Sequence, residues 1–225
     1  MKSKIMHFLR KSLGALLLFL SGTACMAGTF EGSIKFVKKS FYDTTFLQYY
    51  IKDHQIRIDK YGRQGGELIE TLLVDLEKQT VTAVNPIKKL YRPLTIASED
   101  QAPNQGYKII KTGNFREING VRCYQWRVRN RRLNSEIAYW VTQTQFDFYD
   151  DLLTLLKRTE RIYRFFIEIP GNEGFFPMLS VERTLLRDER ERVVVQQIDE
   201  GSLSERLFKI PDDYTELVLS PQIQS

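Results

Sequence analysis

Apolar and polar residues alternate with a period of two along most of the first two thirds of the chain, as expected for strands with one buried face. In one such run, Ile56 and Ile58 flank Arg57. Short polar or glycine-containing turns separate the runs, and Asn119-Gly120 is the strongest hairpin signal among them. Strands are therefore predicted at 30–38, 46–52, 55–60, 67–76, 80–84, 89–94, 107–118, 121–132, 136–142, 178–187 and 191–198.

The period changes to that of a helix between residues 148 and 169. Asp147 is a suitable N-cap, and Pro170-Gly171 ends the segment. We predict one long amphipathic helix here, covering the concave face of a strongly curved antiparallel β-sheet, which is an α+β fold. The apolar face of the helix is formed by Phe148, Leu152, Leu155, Leu156, Thr159, Tyr163 and Phe166.

An export signal is predicted at residues 1–27. Four basic residues precede the uncharged apolar run 13–20, and small residues follow it. The run is shorter than the roughly 20 apolar residues of a transmembrane helix. Two forms of processing remain open: cleavage after Ala27, or lipidation of Cys25, where Gly22 replaces the leucine of a typical lipobox. The protein is expected in the periplasm or in association with the outer membrane.

Charge argues against a nucleic acid partner. The whole chain has 33 Lys+Arg and 28 Asp+Glu, a net charge of +5. Residues 1–27 hold four basic residues and no acidic ones, so the remainder carries 29 minus 28, or +1. Nucleic acid binding normally requires a larger basic excess. Residues 28–219 are long enough for one domain with its own core, and the tail 220–225 is expected to be frayed.

Residues suited to catalysis or metal binding are scarce. His54 is the single histidine after residue 27 and Cys123 the single cysteine, so neither a disulfide nor a zinc site is expected. Cys123 is predicted to be a small buried core residue. Asp59 and Asp75 are candidates for a carboxylate pair, although acids at strand ends are usually solvated. We expect a protein that is not an enzyme and that has no cofactor.

A series of short motifs, in a fixed order, resembles a secreted bacterial family of unknown function. That family is similar to the lipoprotein-carrier superfamily, which includes the outer-membrane lipoprotein-sorting proteins. The resemblance implies a half-open β-barrel with a helical lid over an apolar cavity, which binds acyl chains or a lipidated partner without catalysis. The motifs are Tyr49-Tyr50-Ile51-Lys52, Arg57-Ile58-Asp59, Leu73-Val74-Asp75-Leu76, Thr80-Val81-Thr82, Lys89-Leu90-Tyr91, Gly113, Asn119-Gly120, Cys123, Trp126 and Phe208-Lys209-Ile210-Pro211-Asp212-Asp213-Tyr214.

Aromatic residues are the candidates for lining such a cavity. The alternative is that most of them fill the core, since protein interiors are densely packed. Residues 175–178 follow a glycine-flanked turn, where apolar side chains are harder to bury, and they are expected at the cavity mouth. The candidates are Tyr124, Trp126, Tyr139, Trp140, Phe166, Phe175, Phe176 and Met178.

Two arginines are candidates for binding an anionic headgroup. Arg127 and Arg129 alternate with Trp126 and Val128 on one predicted strand and so point to its other face. The alternative is a solvated outer face, paired with Glu136.

The sequence therefore favours an exported envelope binding protein that shelters a lipid or a lipoprotein acyl chain and is a monomer. The second hypothesis is a structural or protein-interaction module of the envelope, with a filled core and an envelope protein as its partner. The volume of the internal cavity distinguishes the two.

Overall fold

The computed structural model describes residues 30–96, 106–144, 146–156 and 160–218. The predicted export signal, Cys25 and the tail 220–225 lie outside the described residues.

Twelve strands form one open sheet that is almost entirely antiparallel. Its order is β12-β6-β5-β4-β3-β2-β1-β11-β10-β9-β8-β7. The strands β2 to β6 continue from one side of β1, and β11 back to β7 continue from the other, so β1 joins two meanders. The strands are β1 (Gly32–Ser40), β2 (Thr44–Lys52), β3 (Gln55–Tyr61), β4 (Leu68–Asp75), β5 (Thr80–Asn85), β6 (Leu90–Leu94), β7 (Tyr107–Ile118), β8 (Val121–Asn130), β9 (Ser135–Gln143), β10 (Phe175–Arg183), β11 (Glu189–Glu200) and β12 (Thr215–Glu216).

Each of the eleven strands predicted from the sequence is confirmed to within a few residues, and so is the curved antiparallel sheet. The Asn119-Gly120 turn is confirmed as well: both residues have positive φ, 52° and 77°, as a tight hairpin turn requires. The sheet is not a closed barrel, since β7 and β12 stand at its two ends.

The structure has two short helices where the sequence predicted one long helix at 148–169. They are α1 (Phe148–Leu156) and α2 (Arg161–Ile167). Glu160, directly before α2, has an extended backbone with φ −64° and ψ 130°, which interrupts the helical path. A straight helix of the predicted length would extend about 33 Å. Two short helices follow the curvature of the sheet more closely, and each buries its own apolar residues. No helix in the described ranges is long and apolar enough to cross a membrane.

The core beneath the helices is aromatic. The ring of Phe166 on α2 lies 6.5 Å from Trp126 and 5.4 Å from Tyr139, between centroids. Tyr149 on α1 reaches the same ring at 5.9 Å. The buried Tyr139 hydroxyl donates a hydrogen bond of 2.9 Å to the carbonyl of Ile162. Packing and one directional bond thus hold α2 against the sheet.

The β7–β8 hairpin covers the opposite face of the sheet. Neighbouring residues of a strand point to opposite faces, so Trp140 points away from the helices that Tyr139 contacts. The Arg116 guanidinium lies 4.3 Å from the centroid of the Trp140 ring. Farther along the hairpin, the Asn119 side chain donates a 2.8 Å hydrogen bond to the carbonyl of Val195 on β11. A register shift in the middle of β7 allows the hairpin to bend across β9 and β10.

Asp150 on α1 makes folding sensitive to pH. Partial burial, together with the negative charges of Glu173, Asp151 and Asp147, raises its pKa from 3.8 to about 6. Because the folded-state pKa is the higher one, the folded protein binds more protons than the unfolded chain between these values. The favourable contribution of Asp150 to the free energy of unfolding is therefore fully present below about pH 4. It is lost as the pH rises through 6, because the partly buried carboxyl must then ionise.

Asp150→Asn is expected to raise the free energy of unfolding by about 1 kcal/mol near pH 8, after allowance for its partial exposure. The gain should largely disappear near pH 4, where Asp150 is protonated in the folded protein and is therefore as neutral as an asparagine there. Urea unfolding at the two pH values measures it. The exposed neighbour Asp151→Asn is the control and should change stability less. An Asp150→Asn effect that is the same at both pH values would contradict this assignment.

Candidate ligand-binding cavity

A cavity of about 950 Å³, partly open to solvent, lies beneath the tip of the β7–β8 hairpin. Small-molecule sites commonly have volumes of about 300–1,000 Å³. The walls are residues 30–31 directly before β1, the hairpin tip, the ends of β9 and β11, and Met178 of β10. The apolar lining residues are Phe30, Val121, Phe146, Met178 and Ile198, and the polar ones are Glu31, Asn119, Thr142, Thr144, Gln196, Gln197 and Glu200.

Two irregular positions in the sheet supply lining residues. Between β1 and β11, Phe36 pairs with Val195 and Lys35 with Gln197, so Gln196 is an extra residue. Between β9 and β10, the register passes over Met178 in the same way. A bulge of this kind redirects a side chain out of the ordinary alternation. Gln196 and Met178 both line the cavity.

The roof of the cavity is held by the hydrogen bond from Asn119 to the carbonyl of Val195. This bond joins the hairpin tip to a strand that is not its neighbour in the sheet. Val121, two residues beyond Asn119, lines the cavity from the same tip. The floor includes Phe30, whose ring lies 4.5 Å from that of Phe146.

The rim is polar and acidic. Glu31 accepts a 2.6 Å hydrogen bond from the amide of Leu203 and lies 3.3 Å from the Lys52 ammonium. These groups, the Leu203 amide above all, lower the pKa of Glu31. Glu200 is the second carboxylate, and no Lys, Arg or His is among the described lining residues. Two lysines just outside the lining, Lys52 on Glu31 and Lys35 on Gln197, offset part of this negative charge. The arrangement suits a ligand with an apolar body and a neutral polar end.

Most of the predicted aromatic candidates lie elsewhere. Trp126, Tyr139, Phe166 and Phe176 are buried in the core beneath the helices. Phe175 packs on Trp126, with ring centroids 4.7 Å apart.

The remaining candidates occupy three different environments. Tyr124 is exposed on β8, and Trp140 is partly buried under the β7–β8 hairpin. Residues 175–178 begin strand β10, with Phe176 and Met178 fully buried. Met178 is the one of the eight candidates that lines the cavity.

Sequence reasoning missed Phe30, Val121, Phe146 and Ile198. The Asn119-Gly120 turn was recognised, but its position above β11 depends on a bend in the middle of β7 that the sequence pattern does not reveal.

Arg127 and Arg129 pair with Glu136, as the solvated-face alternative expected. Both guanidinium groups bond its carboxylate, which Arg187 also reaches at 3.2 Å. Burial raises the pKa of Glu136, but the hydrogen bonds from Arg127 and Arg129 outweigh it and leave the pKa below its ordinary value. Neither arginine lines the cavity.

The buried cysteine is confirmed. Cys123 has no exposed surface, and burial raises the pKa of its thiol, which keeps it protonated and unreactive. His54 lies in the β2–β3 turn. In the described part of the chain, no three His, Cys, Asp or Glu side chains are grouped as metal ligands.

Asp59 and Asp75 do not form a pair. The register of β3 and β4 places Asp75 opposite Gln55 and Asp59 opposite Thr71, about 13 Å apart along the strand. Asp59 is also not solvated: it is buried, bonded by Arg57 at 2.8 Å and by the Thr71 hydroxyl at 2.6 Å. The expectation of a solvated strand-end acid was wrong because a charged partner occupies the same strand.

Residues 30–214 match the model of a family described as Domain of unknown function (DUF4412). The chain belongs to this family, which confirms that part of the resemblance. Among curated proteins, no sequence matches at a significant level.

Several solved structures have a similar arrangement at low sequence identity. An uncharacterised conserved protein from Thermus thermophilus has a TM-score of 0.49 at 7% identity, covering 84% of this chain and 90% of that one. The MucA/MucB complex of Pseudomonas aeruginosa gives 0.48 at 11%, covering 84% and 58%. A putative outer membrane lipoprotein-sorting protein domain from Vibrio parahaemolyticus gives 0.31 at 8%, covering 81% and 90%. All three TM-scores lie below 0.5, and these likenesses do not identify the function of this chain.

Proposed function

We propose that this protein is an exported, non-catalytic binding protein of the bacterial envelope that shelters an apolar ligand, a lipid or a lipoprotein acyl chain. The observation that carries the proposal is the cavity of about 950 Å³ with a wall of Phe30, Val121, Phe146, Met178 and Ile198. A bound apolar ligand would remove this apolar wall from water, which favours binding and stabilises the folded protein. Export by the signal at 1–27 and action as a monomer belong to the same proposal.

The polar rim narrows the ligand class. Glu31 is already paired with Lys52, so Glu200 is the lining carboxylate that disfavours an anionic end group. The side-chain oxygen of Asn119, whose NH2 group bonds Val195, can accept a hydrogen bond from a ligand hydroxyl. A neutral lipid such as a monoacylglycerol therefore fits better than a fatty acid anion.

The alternative of an interaction module with a filled core draws on the dense packing beneath the helices. Native mass spectrometry of protein purified gently from its own host separates the two. An added mass that is lost on denaturation supports ligand binding, and a bare mass favours the interaction module.

Val121→Trp is expected to fill part of the cavity and to weaken binding of the neutral fluorophore N-phenyl-1-naphthylamine by about tenfold. Fluorescence titration measures the affinity, and displacement by monoolein should exceed displacement by oleate. Tyr124→Trp places the same side chain on the outside of the same strand and is the matched control.

The proposal fails if the fluorophore shows no saturable binding to the wild-type protein beyond that to the unfolded chain. It also fails if Val121→Trp, folded by circular dichroism, binds as the wild type does.

A further inference from the structure

Three hairpin turns lie side by side at the end of the sheet away from the cavity. They are the β1–β2 turn at 41–43, the β10–β11 turn at 184–188 and the β8–β9 turn at 131–134. β1 pairs with β11, so the first two turns are about 10 Å apart. The second and third are joined by a 3.1 Å hydrogen bond from the Leu185 amide to the Asn134 side chain.

Large apolar side chains protrude from two of these turns. Phe41 and Tyr42 are 81% and 93% exposed, and Leu186 is 83% exposed. The turn that carries Phe41 and Tyr42 is closed by a 2.8 Å hydrogen bond from the Ser40 amide to the Asp43 carbonyl. The two rings contact each other edge to face, with centroids 5.0 Å apart. Ordered turns thus present apolar groups that the protein itself does not bury.

Basic side chains surround the third turn. A depression of about 250 Å³ there is lined by Arg131, Arg132, Arg129, Lys108 and Gly106. Arg129 is paired with Glu136, but Lys108, Arg131 and Arg132 form no ion pair with a carboxylate of the described residues.

Counted over the three turns, 41–43, 131–134 and 184–188, three basic residues exceed two acidic ones, a net charge of +1. The basic residues are Arg131, Arg132 and Arg187, of which Arg187 also reaches Glu136, and the acidic ones are Asp43 and Asp188.

We propose that this end of the sheet docks on the surface of an anionic lipid bilayer. Phe41, Tyr42 and Leu186 enter the interfacial region, where aromatic and aliphatic side chains are stabilised. Arg131 and Arg132 lie at the level of the lipid phosphates, and each basic residue near such a surface adds attraction.

The shape of this surface favours a bilayer over a protein partner. A protein interface has a packed apolar centre, whereas Phe41 and Leu186 stand on separate, convex turns. A bilayer interface admits such separate projections, since lipids move aside for each one.

Docking is separable from ligand binding. β11 runs from the docking end at Glu189 to the cavity at Gln196 and Gln197, roughly 25 Å away. Removal of the exposed aromatic side chains should leave the cavity intact, and Val121→Trp should leave docking unchanged.

The test is vesicle flotation with a chain carrying Cys25→Ser, so that no lipid on that residue contributes. Vesicles of phosphatidylethanolamine and phosphatidylglycerol should carry the protein, and phosphatidylcholine vesicles should carry much less. Phe41→Ser/Tyr42→Ser should lower the affinity for the anionic vesicles about tenfold. Arg131→Gln/Arg132→Gln should remove most of the preference for them and most of the salt dependence.

Phe115→Ser/Tyr124→Ser is the matched control, because it removes two exposed aromatic side chains at the other end of the β7–β8 hairpin. It should float as the wild type does. The proposal is overturned if the wild-type chain does not float with anionic vesicles, or if the control and the Phe41→Ser/Tyr42→Ser variant lose binding equally. Unchanged fluorophore binding by these variants would show that vesicle docking and ligand binding in the cavity are independent. Either proposal could then be refuted without refuting the other.

Discussion

Phe166→Ala should lower the free energy of unfolding by about 4 kcal/mol, which is typical of removing a fully buried aromatic ring. Phe166 has no exposed surface, and its ring touches Trp126, Tyr139 and Tyr149. These neighbours belong to β8, β9 and α1, so they cannot move together into the space that is left. Chemical denaturation followed by tryptophan fluorescence measures the loss.

The matched control is Phe115→Ala. Phe115 is largely exposed on β7 and stacks with the Arg122 guanidinium, 4.8 Å from the ring centroid. Its removal should cost less than about 1 kcal/mol. Should Phe166→Ala not fold, Phe166→Leu, with an expected loss of about 1.5 kcal/mol, tests the same packing. A loss from Phe166→Ala no larger than the control's would show that α2 is not part of the core.

Local patterns were sufficient to predict the strands. In β3, Ile56 and Ile58 are buried as their alternation requires, and the Asn119-Gly120 turn has the backbone that its sequence demands. These features depend on residues within a few positions of one another.

The helical segment shows where local patterns are insufficient. Its apolar spacing is compatible with one long helix, but the backbone of Glu160 is extended and α2 begins as a separate helix over the sheet. We attribute this difference to packing on the curved sheet, which local spacing does not encode. That shape depends on strands far away in sequence.

The cavity was harder still to predict, because bulges and a bent hairpin create it. Gln196 and Met178 occupy irregular positions in the strand register, and Asn119 bonds Val195 across the sheet. Abundant aromatic residues indicated a lined cavity, but Trp126 and Phe176 pack in the core because the two helices lie directly over them.

Glu182 ties α2 to the sheet with a buried charge. It is 4% exposed on β10 and accepts hydrogen bonds from Arg161 of α2 at 2.8 Å and from the Ser135 hydroxyl of β9 at 3.0 Å. Arg190 of β11 lies 3.4 Å from the same oxygen. One carboxylate thus joins a helix and three strands.

Glu182→Gln should lower the free energy of unfolding by about 2 kcal/mol. Removing one partner of a buried ion pair typically costs about 3–5 kcal/mol. The side chains of Arg161 and Arg190 are 36% and 32% exposed, and they recover part of this loss through contact with water. Urea unfolding gives the magnitude of the loss. Relative to the wild type, hydrogen exchange should accelerate more in α2 than in β3.

Glu189→Gln is the control that isolates burial, because Glu189 also binds two arginines, Arg183 and Arg192. Its side chain is 38% exposed, so solvent screens the pairs and the expected loss is below about 1 kcal/mol. Equal losses at the two positions would mean that the number of ion pairs, and not burial, sets their value. A larger loss at Glu182, with α2 opening first, would establish this carboxylate as the anchor that keeps the helix over the aromatic core.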